Sequence, residues 1–289
     1  MPIAFACPHC GARMNVPDQF AGQTGPCSSC GRQISIPGTP VALNRPVPAK
    51  GGGGSKLLIV LGVVLVSGFA CCGVLAALLV PAFGSAKQAA QRQASINNMR
   101  VIALALHNYH DVYQTLPPAV VRDANGTPLY SGRVLLLPFL EQQALFNHFD
   151  LTKAWNAPEN ALVASTIVPV FLDPSSKNAS NTPRTDYVFV TGPGTVFEEM
   201  PSGRMGLGDV TDGLSNTVFL VETSAAGAHW AEPKDMDISQ LGAPPPGNRA
   251  GGNLIGLMDG AVRWVDRSID PRTWQGLLTR SGGEVIEAF

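Results

Sequence analysis

No cysteine follows Cys72 in this chain of 289 residues, so everything beyond that point must hold together without disulfides. Charge is scarce as well. Asp, Glu, Lys and Arg make up 14% of the residues, against about 25% in ordinary soluble domains. The deficit concentrates in one place, because no charged side chain stands between Lys56 and Lys87. A surplus of one sign is also missing: 20 basic and 21 acidic residues give a formal net charge of −1. Such a chain has no positive field with which to hold a polyanion, and nucleic acid is not an expected partner. Equally absent are a phosphate-binding Gly loop, a dinucleotide fingerprint, a His-rich zinc-protease motif and a Ser or Cys nucleophile in a recognisable elbow. With no catalytic motif to build on, a non-enzymatic protein is expected. The length exceeds the roughly 100–200 residues of one domain, which predicts two folded parts and their connections.

What is present begins with FACPHCGARMNVPDQFAGQTGPCSSCGRQISIP, where Cys7, Cys10, Cys27 and Cys30 form two Cys-x2-Cys pairs, each followed by Gly. Glycine after the pair suits a tight turn around a metal. Two such knuckles place four thiolates at the corners of a tetrahedron, the arrangement favoured by Zn2+, so residues 1–38 are predicted to be a zinc ribbon with a structural ion. CPHCGARMNVP is echoed by CSSCGRQISIP, each a knuckle, a polar turn and a short strand closed by Pro. A redox pair is the competing reading, but redox Cys-x2-Cys motifs come singly on a thioredoxin-like pattern that is missing here. His9, between two cysteines, reads as a solvated loop residue. The pattern resembles the small zinc ribbons at the front of many bacterial membrane proteins, which implies a protein partner for this segment.

Residues 39–56 turn Pro-rich and then Gly-rich and read as a flexible linker. LLIVLGVVLVSGFACCGVLAALLVPAF follows. It has no polar face, and residues 57–81 exceed the about 20 residues that a bilayer needs, so a single transmembrane helix is predicted. Cys71 and Cys72 fit there as small apolar helix residues. Flanking charge does not orient the span, since Arg45, Lys50 and Lys56 are balanced by Lys87, Arg92 and Arg100. Cysteine placement does. A thiolate-ligated zinc persists best in a reducing compartment and a cysteine-free domain is indifferent to oxidation, which predicts the N-terminus in the cytoplasm and the C-terminal domain outside.

Residues 82–289 are predicted to form an α+β domain. The helix should run past Pro81, with Met99, Ile102, Leu106, Tyr109 and Tyr113 in one stripe against a core, until Pro117 and Pro118 stop it. GRVLLLPFLEQQALFNHFD reads as a second, shorter helix, and TDYVFVTG and SNTVFLVET as strands. NLIGLM and AVRWVD flank Asp259-Gly260, a strong hairpin signal. A last helix around Asp270 to Arg280 has Asp270 as N-cap and Pro271 at its first position, with Gly282 just past its end.

Together, LLVPAFGSAKQAAQRQASINNMRVIALALHNYHDVYQTLPP, RVLLLPFLEQQALFNHFDLTKAWNAPEN, DYVFVTGPGTVF, DVTDGLSNTVFLVE and NLIGLMDGAVRWVD resemble a planctomycete family catalogued as domain of unknown function fifteen fifty-nine. The resemblance runs from about Leu79 to the C-terminus. It implies a pilin- or pseudopilin-like architecture, a long helix half in the membrane and half packed on an antiparallel sheet. Two departures stand out. Ile59 occupies the place of the Glu found five residues into a mature pilin helix after a cleaved Gly, here Gly54, and Arg249 stands where the family often has His ten residues before its Asp-Gly. The resemblance thus supports anchoring more than filament assembly.

Other candidate residues are weaker. His107, His110 and Asp111 form H-x-x-H-D, a spacing that could place two imidazoles on one helix face for a metal, but hydrogen bonds fixing the helix end are the favoured role. Asp209, Asp212 and Asn216 could offer oxygens to Ca2+ or form an Asx-rich turn, the favoured reading. Glu222 and His229 could pair as base and acid, and Asp235 and Asp237 read as solvated loop charges. The leading expectation is an envelope protein that displays a pilin-like domain outside the cytoplasmic membrane and keeps its ribbon inside. The alternative is capture of a solute or glycan, which a pocket lined by Trp155, Trp230 or Trp264 would support.

Overall fold

The computed structural model describes residues 2–38, 54–176, 182–199, 204–224, 227–284 and 286, with side chains of the long helix described from Phe83 onward. Most of the expected linker, residues 39–53, and the side chains of the expected span, residues 57–81, lie outside the described set. Among the described residues no helix is long and apolar enough to cross a membrane. The chain divides into two compact units, Met1–Gly73 and Val74–Phe289.

The first unit contains two antiparallel hairpins. Strand β1 (Ile3–Ala6) pairs with β2 (Arg13–Val16), and β3 (Thr24–Pro26) pairs with β4 (Gln33–Ser35). Each hairpin tip is a cysteine knuckle closed by a glycine, Gly11 or Gly31, at φ 69°. An L side chain rarely adopts that angle, so glycine at this point of both repeats is a backbone requirement. The apolar interior consists of Cys7, Cys27 and Ile34, with Phe5 and Met14 against them. That is too little to fold a segment of this size by burial alone.

Helix α1 spans Gly54–Tyr113, starting inside the segment expected as linker, and belongs to the second unit from Val74 onward. Residues 83–90 of α1 are exposed on all sides, and the helix then joins the core through Ser95, Met99, Ile102 and Leu106 at alternating steps of four and three. The predicted stripe holds as far as Tyr109, which is half-buried. Tyr113 is 57% exposed, stacked against Tyr109 at 4.4 Å near the edge of Phe139 rather than packed in the core. The helix ends there because Gln114 turns to φ 56° and two prolines follow shortly after.

A hairpin of β5 (Val120–Arg122) and β6 (Pro128–Ser131) leads into α2 (Arg133–Leu136), a 3-10 turn (Leu137–Leu140), α3 (Gln143–Asn147) and α4 (Ala161–Ala164). The single second helix expected over the first part of this stretch is thus three short pieces. Pro138 lacks the N–H that a continuing helix needs, and Glu141 adopts a left-handed φ of 59°. The remaining strands are β7 (Tyr187–Thr191), β8 (Val218–Glu222), β9 (Met236–Asp237), β10 (Gly252–Leu257) and β11 (Val262–Asp266), and α5 (Pro271–Leu278) closes the domain. Both predicted strands and the hairpin at Asp259-Gly260 are present, with Gly260 at φ 85°.

The five strands form one mixed sheet in the order β11-β10-β8-β7-β9, antiparallel except where β9 runs parallel to β7. Side-chain alternation covers both faces. Tyr187, Phe189, Leu220 and Leu254 point toward Met99, Ile102 and Leu106 of α1, and Val188, Val190, Val221 and Ile255 toward Trp274, Leu277 and Leu278 of α5. Each large apolar side chain taken from water contributes roughly 1.5–3 kcal/mol, the means by which a fold without covalent staples reaches stability. The architecture is α+β, a long helix on a mixed sheet.

Candidate metal centre

The two knuckles bring Cys7, Cys10, Cys27 and Cys30 into one group whose four sulfurs all lie within 4.8 Å of one another. Cys7 Sγ is 3.8 Å from Cys30 Sγ, and Cys10 Sγ is 3.9 Å from Cys27 Sγ. Four sulfurs tetrahedral about one zinc, with bonds of about 2.3 Å, stand about 3.8 Å apart. The residues therefore fit the ion. Backbone bonds hold each knuckle in the same form: Gly11 N–H donates to the Cys7 carbonyl at 2.9 Å and Cys7 N–H to that of Ala12 at 3.0 Å. Gly31, Cys27 and Arg32 repeat the pattern at 2.8 Å each. The N–H groups of His9 and Ser29 point at the sulfurs of Cys7 and Cys27 at 3.4 Å, favouring thiolates there. His9 thus serves the cluster through its backbone, and its ring is not among the ligand group.

Without metal, the environment shifts Cys7 and Cys30 in opposite directions. Burial opposes ionisation of Cys7, but the N–H groups of His9 and Cys10 and the thiols of Cys10 and Cys27 outweigh it and bring Cys7 down to about 6. For Cys30 the Arg32 N–H pulls downward, yet burial and the other three thiols push it up to about 12. A metal ion held by these residues would supply positive charge that favours thiolates, and its binding would release protons. Four protein ligands would complete a tetrahedron around an ion held here.

The second unit places the remaining candidates in structural roles. His107 Nε2 meets the Met258 carbonyl at 2.6 Å, and His110 Nε2 accepts from Leu207 N–H at 3.3 Å, so both imidazoles tie the end of α1 to the loops around the sheet. Asp111 is exposed, and among the described residues the cysteine quartet alone gathers three or more side chains able to hold an ion. Asp209 accepts from Gly206 N–H at 2.7 Å, Asp212 from Gly282 and Gly283 N–H at 2.7 and 2.9 Å, and Asn216 donates to the Asp212 carbonyl at 3.1 Å. These groups fasten turns. Glu222 and His229 are engaged separately, Glu222 by Arg249 and His229 by a stack on Trp155 with ring centroids 4.5 Å apart.

Asp237 caps the 3-10 turn Ile238–Gln240 through Ser239 N–H at 2.9 Å. Asp235 corrects the expectation of a solvated charge. Its side chain is 2% exposed and forms an ion pair with Arg133, itself 1% exposed, while accepting from Phe189 N–H at 2.9 Å. Burial pushes the Asp235 carboxyl upward, and Arg133 and the Phe189 N–H oppose that shift. A second buried group surrounds Arg249: Nη1 donates to both oxygens of Glu222 at 2.7 and 2.6 Å, and Nη2 donates to Asp173 at 2.9 Å.

The hollows on this unit include two lined by described residues. One of about 750 Å3 is lined by residues that include Pro117, Val120, Phe197 and Met205, and one of about 440 Å3 by residues that include Val188, Met236 and Pro244. Neither includes a tryptophan. Trp230 is fully buried with Nε1 donating to the Thr166 carbonyl at 2.9 Å, and the Arg92 guanidinium covers Trp264 at 4.8 Å.

A family model described as protein of unknown function (DUF1559) matches residues 84–244, more than half of the chain. The chain belongs to this family. No curated protein and no solved structure matches it. The matched DUF1559 region takes in the packed part of α1, strands β7 to β9 and the Arg133–Asp235 pair, and it stops before Arg249 and the β10–β11 hairpin. Within the DUF1559 region the sequence reasoning missed Arg133, Asp173 and Asp186 as buried charges. Their partners are distant in sequence or sit in irregular loops, so no local periodicity announces them. The one available signal was Arg133 directly ahead of the apolar run VLLL, an unusual place for a solvated cation.

Proposed function

We propose that this chain is a non-enzymatic, single-pass envelope protein that anchors its DUF1559 domain outside the cytoplasmic membrane and keeps a structural zinc ribbon in the cytoplasm. The observation that carries the reading is the cysteine quartet, whose sulfur separations suit tetrahedral zinc, followed in sequence by an uncharged apolar run and then by a domain without a single cysteine. Thiolate ligation is durable in a reducing compartment, and a fold that needs no disulfide can be exported without oxidative maturation. The run of residues 57–81 has the length and apolarity for one span and makes the bilayer the first partner. The ribbon, with a closed coordination sphere and no substrate position, serves as a docking module for a cytoplasmic protein. The solute- or glycan-binding alternative draws no support from the two hollows described, neither of which is lined by tryptophan.

Protease added to intact spheroplasts should digest the DUF1559 domain and spare the ribbon. Digestion of the ribbon with protection of the domain would reverse the topology, and protection of both until lysis would remove the span from the proposal. Partners recovered with the intact protein and lost from a chain lacking residues 1–38 belong to the ribbon.

A further inference from the structure

The charges around Arg249 do not balance. One guanidinium serves two carboxylates, since Nη1 donates to both Glu222 oxygens and Nη2 to Asp173. Asp173 is 0% exposed and Glu222 1%. The neighbouring acid does not help, because Asp186 is paired with Arg184 at 2.7 Å and accepts from Asp173 N–H at 2.8 Å. Facing groups from the other packed elements are neutral. Ser95 of α1 and Tyr187 of β7 bond each other at 2.8 Å, Asn98 of α1 donates to the Leu172 carbonyl, and Asn253 of β10 donates to the carbonyls of Glu222 and Pro245. Ser175 and Asn248 supply the remaining hydrogen bonds to Asp173. Two ionised carboxylates here would leave one buried negative charge uncompensated, an expensive arrangement.

We propose that Asp173 and Glu222 hold one proton between them beneath Arg249, and that its loss at alkaline pH releases residues 248–250 from the domain. The two acids sit on rigid supports, Glu222 at the end of β8 and Asp173 just after the fully buried Phe171. The movable member is the segment 248–250. Its hydrogen bonds run to the two acids, from Arg249 and from Asn248, whose side chain reaches Asp173 at 2.9 Å and whose N–H points at Glu222 at 3.4 Å, and Ala250 is exposed. The residues on either side stay fixed, Pro245 and Pro246 by Asn253 and Ser224 and the Gly251 carbonyl by Arg267 N–H. When the shared proton leaves, repulsion between the acids is relieved most cheaply by admitting water, and segment 248–250 is what must move to admit it.

The direction of titration agrees. Burial, then the charge and contact of Asp173, push Glu222 up to about 8 against the pull of Arg249. Burial likewise opposes ionisation of Asp173, but its bonds with Glu222 and Ser175 and the charge of Arg249 hold it below the ordinary carboxylate range. The pair titrates as a unit. A raised folded-state value means that the folded chain binds more protons than the unfolded chain between the ordinary Glu value, about 4.3, and about 8. The stabilisation is therefore full at the acid side of that window and lost as pH rises through it.

Release of this segment presents the Arg249–Ala250 bond to trypsin. In the full-length protein in detergent, cleavage there is measured against cleavage after the exposed Lys153, which cancels the protease's own pH dependence. The ratio should rise roughly tenfold or more from about pH 6.5 to about pH 9.5, following a population that changes tenfold per pH unit below the transition. Glu222→Gln, which keeps the site neutral at every pH, should give a low and flat ratio, and Asp173→Asn the same. A flat wild-type ratio, or an unchanged rise in both variants, overturns the proposal. Should both variants fail to fold, infrared spectra of the wild type decide: a protonated-carboxyl band that titrates away near pH 8 supports the shared proton, and no such band at neutral pH refutes it.

Discussion

The Arg133 guanidinium and the Asp235 carboxylate form an ion pair across 102 residues of sequence, and neither side chain is more than 2% exposed. Each nitrogen of Arg133 is bonded: beyond Asp235 it donates from Nε to the Trp230 carbonyl at 3.0 Å and from Nη2 to those of Glu232 and Lys234 at 3.1 Å. One cation thereby fixes the segment 230–235 against α2. Removing a single partner strands a buried charge, so Asp235→Ala should cost about 3–5 kcal/mol. Trp155, Trp230, Trp264 and Trp274 are all the tryptophans in the chain and all lie in the second unit, so urea unfolding followed by their fluorescence reports that unit alone. The double change Arg133→Met with Asp235→Leu should cost less than the single one. A loss below about 1 kcal/mol for Asp235→Ala would place the pair among the weak surface bridges.

Metal analysis gives the ribbon an independent test. The purified chain should carry about one zinc, with the ion lost on Cys7→Ser or Cys27→Ser and retained on His9→Ala, since His9 contributes a backbone N–H that alanine keeps. A strong chelator should unfold β1 to β4, because their shared interior is only Cys7, Cys27 and Ile34 with two flanking side chains. Tryptophan fluorescence should not respond. Zinc retained by both serine variants would disprove the four-thiolate assignment.

Helix α5 depends on its N-cap. Asp270 accepts from the N–H groups of Arg272 at 2.9 Å and Thr273 at 3.0 Å, and Pro271 takes the first helical position. Asp270→Ala should destabilise the domain by about 1 kcal/mol, and Asp270→Ser should recover most of it. Equal losses for both variants in the same urea experiment would show that the carboxylate acts other than as a cap.

How much of this was legible in the sequence depended on whether the signal was local. The Cys-x2-Cys-Gly repeats encode their knuckles within five residues each, and the structure places the four sulfurs together as expected. Met99, Ile102 and Leu106 report a helix face, YVFV and VFLV report strands covered on both sides, and Asp259-Gly260 reports a turn. The second helix was misjudged because its apolar residues keep a helical rhythm through Pro138, whose missing N–H is invisible to periodicity. Asp235 was misplaced for a different reason: the residue that removes it from water lies in another element, and hydrophobic patterning carries no information about which charge meets which. Arg249 was visible as a departure from the resembling family, but its two carboxylates were recognisable only once β8 and the loop after Phe171 were folded together.

His229 makes the last prediction, on the acid side. Its ring stacks on Trp155 at 4.5 Å, and Nδ1 accepts from Ala231 N–H at 3.1 Å, a bond that only the neutral ring can accept. Burial, aided by the Arg133 charge, lowers its pKa below the ordinary histidine value, against the pull of the Ala164 backbone and Glu232. The unfolded chain therefore takes up a proton at higher pH than the folded chain, and stability should fall as pH drops below about 6.5. His229→Phe keeps an aromatic ring against Trp155 and cannot be protonated. It should lose some stability at pH 7, where the bond from Ala231 is forfeited, yet lose less than the wild type between about pH 7 and about pH 5.5. Parallel pH profiles for the two proteins in urea unfolding would show that another group governs the acid limb.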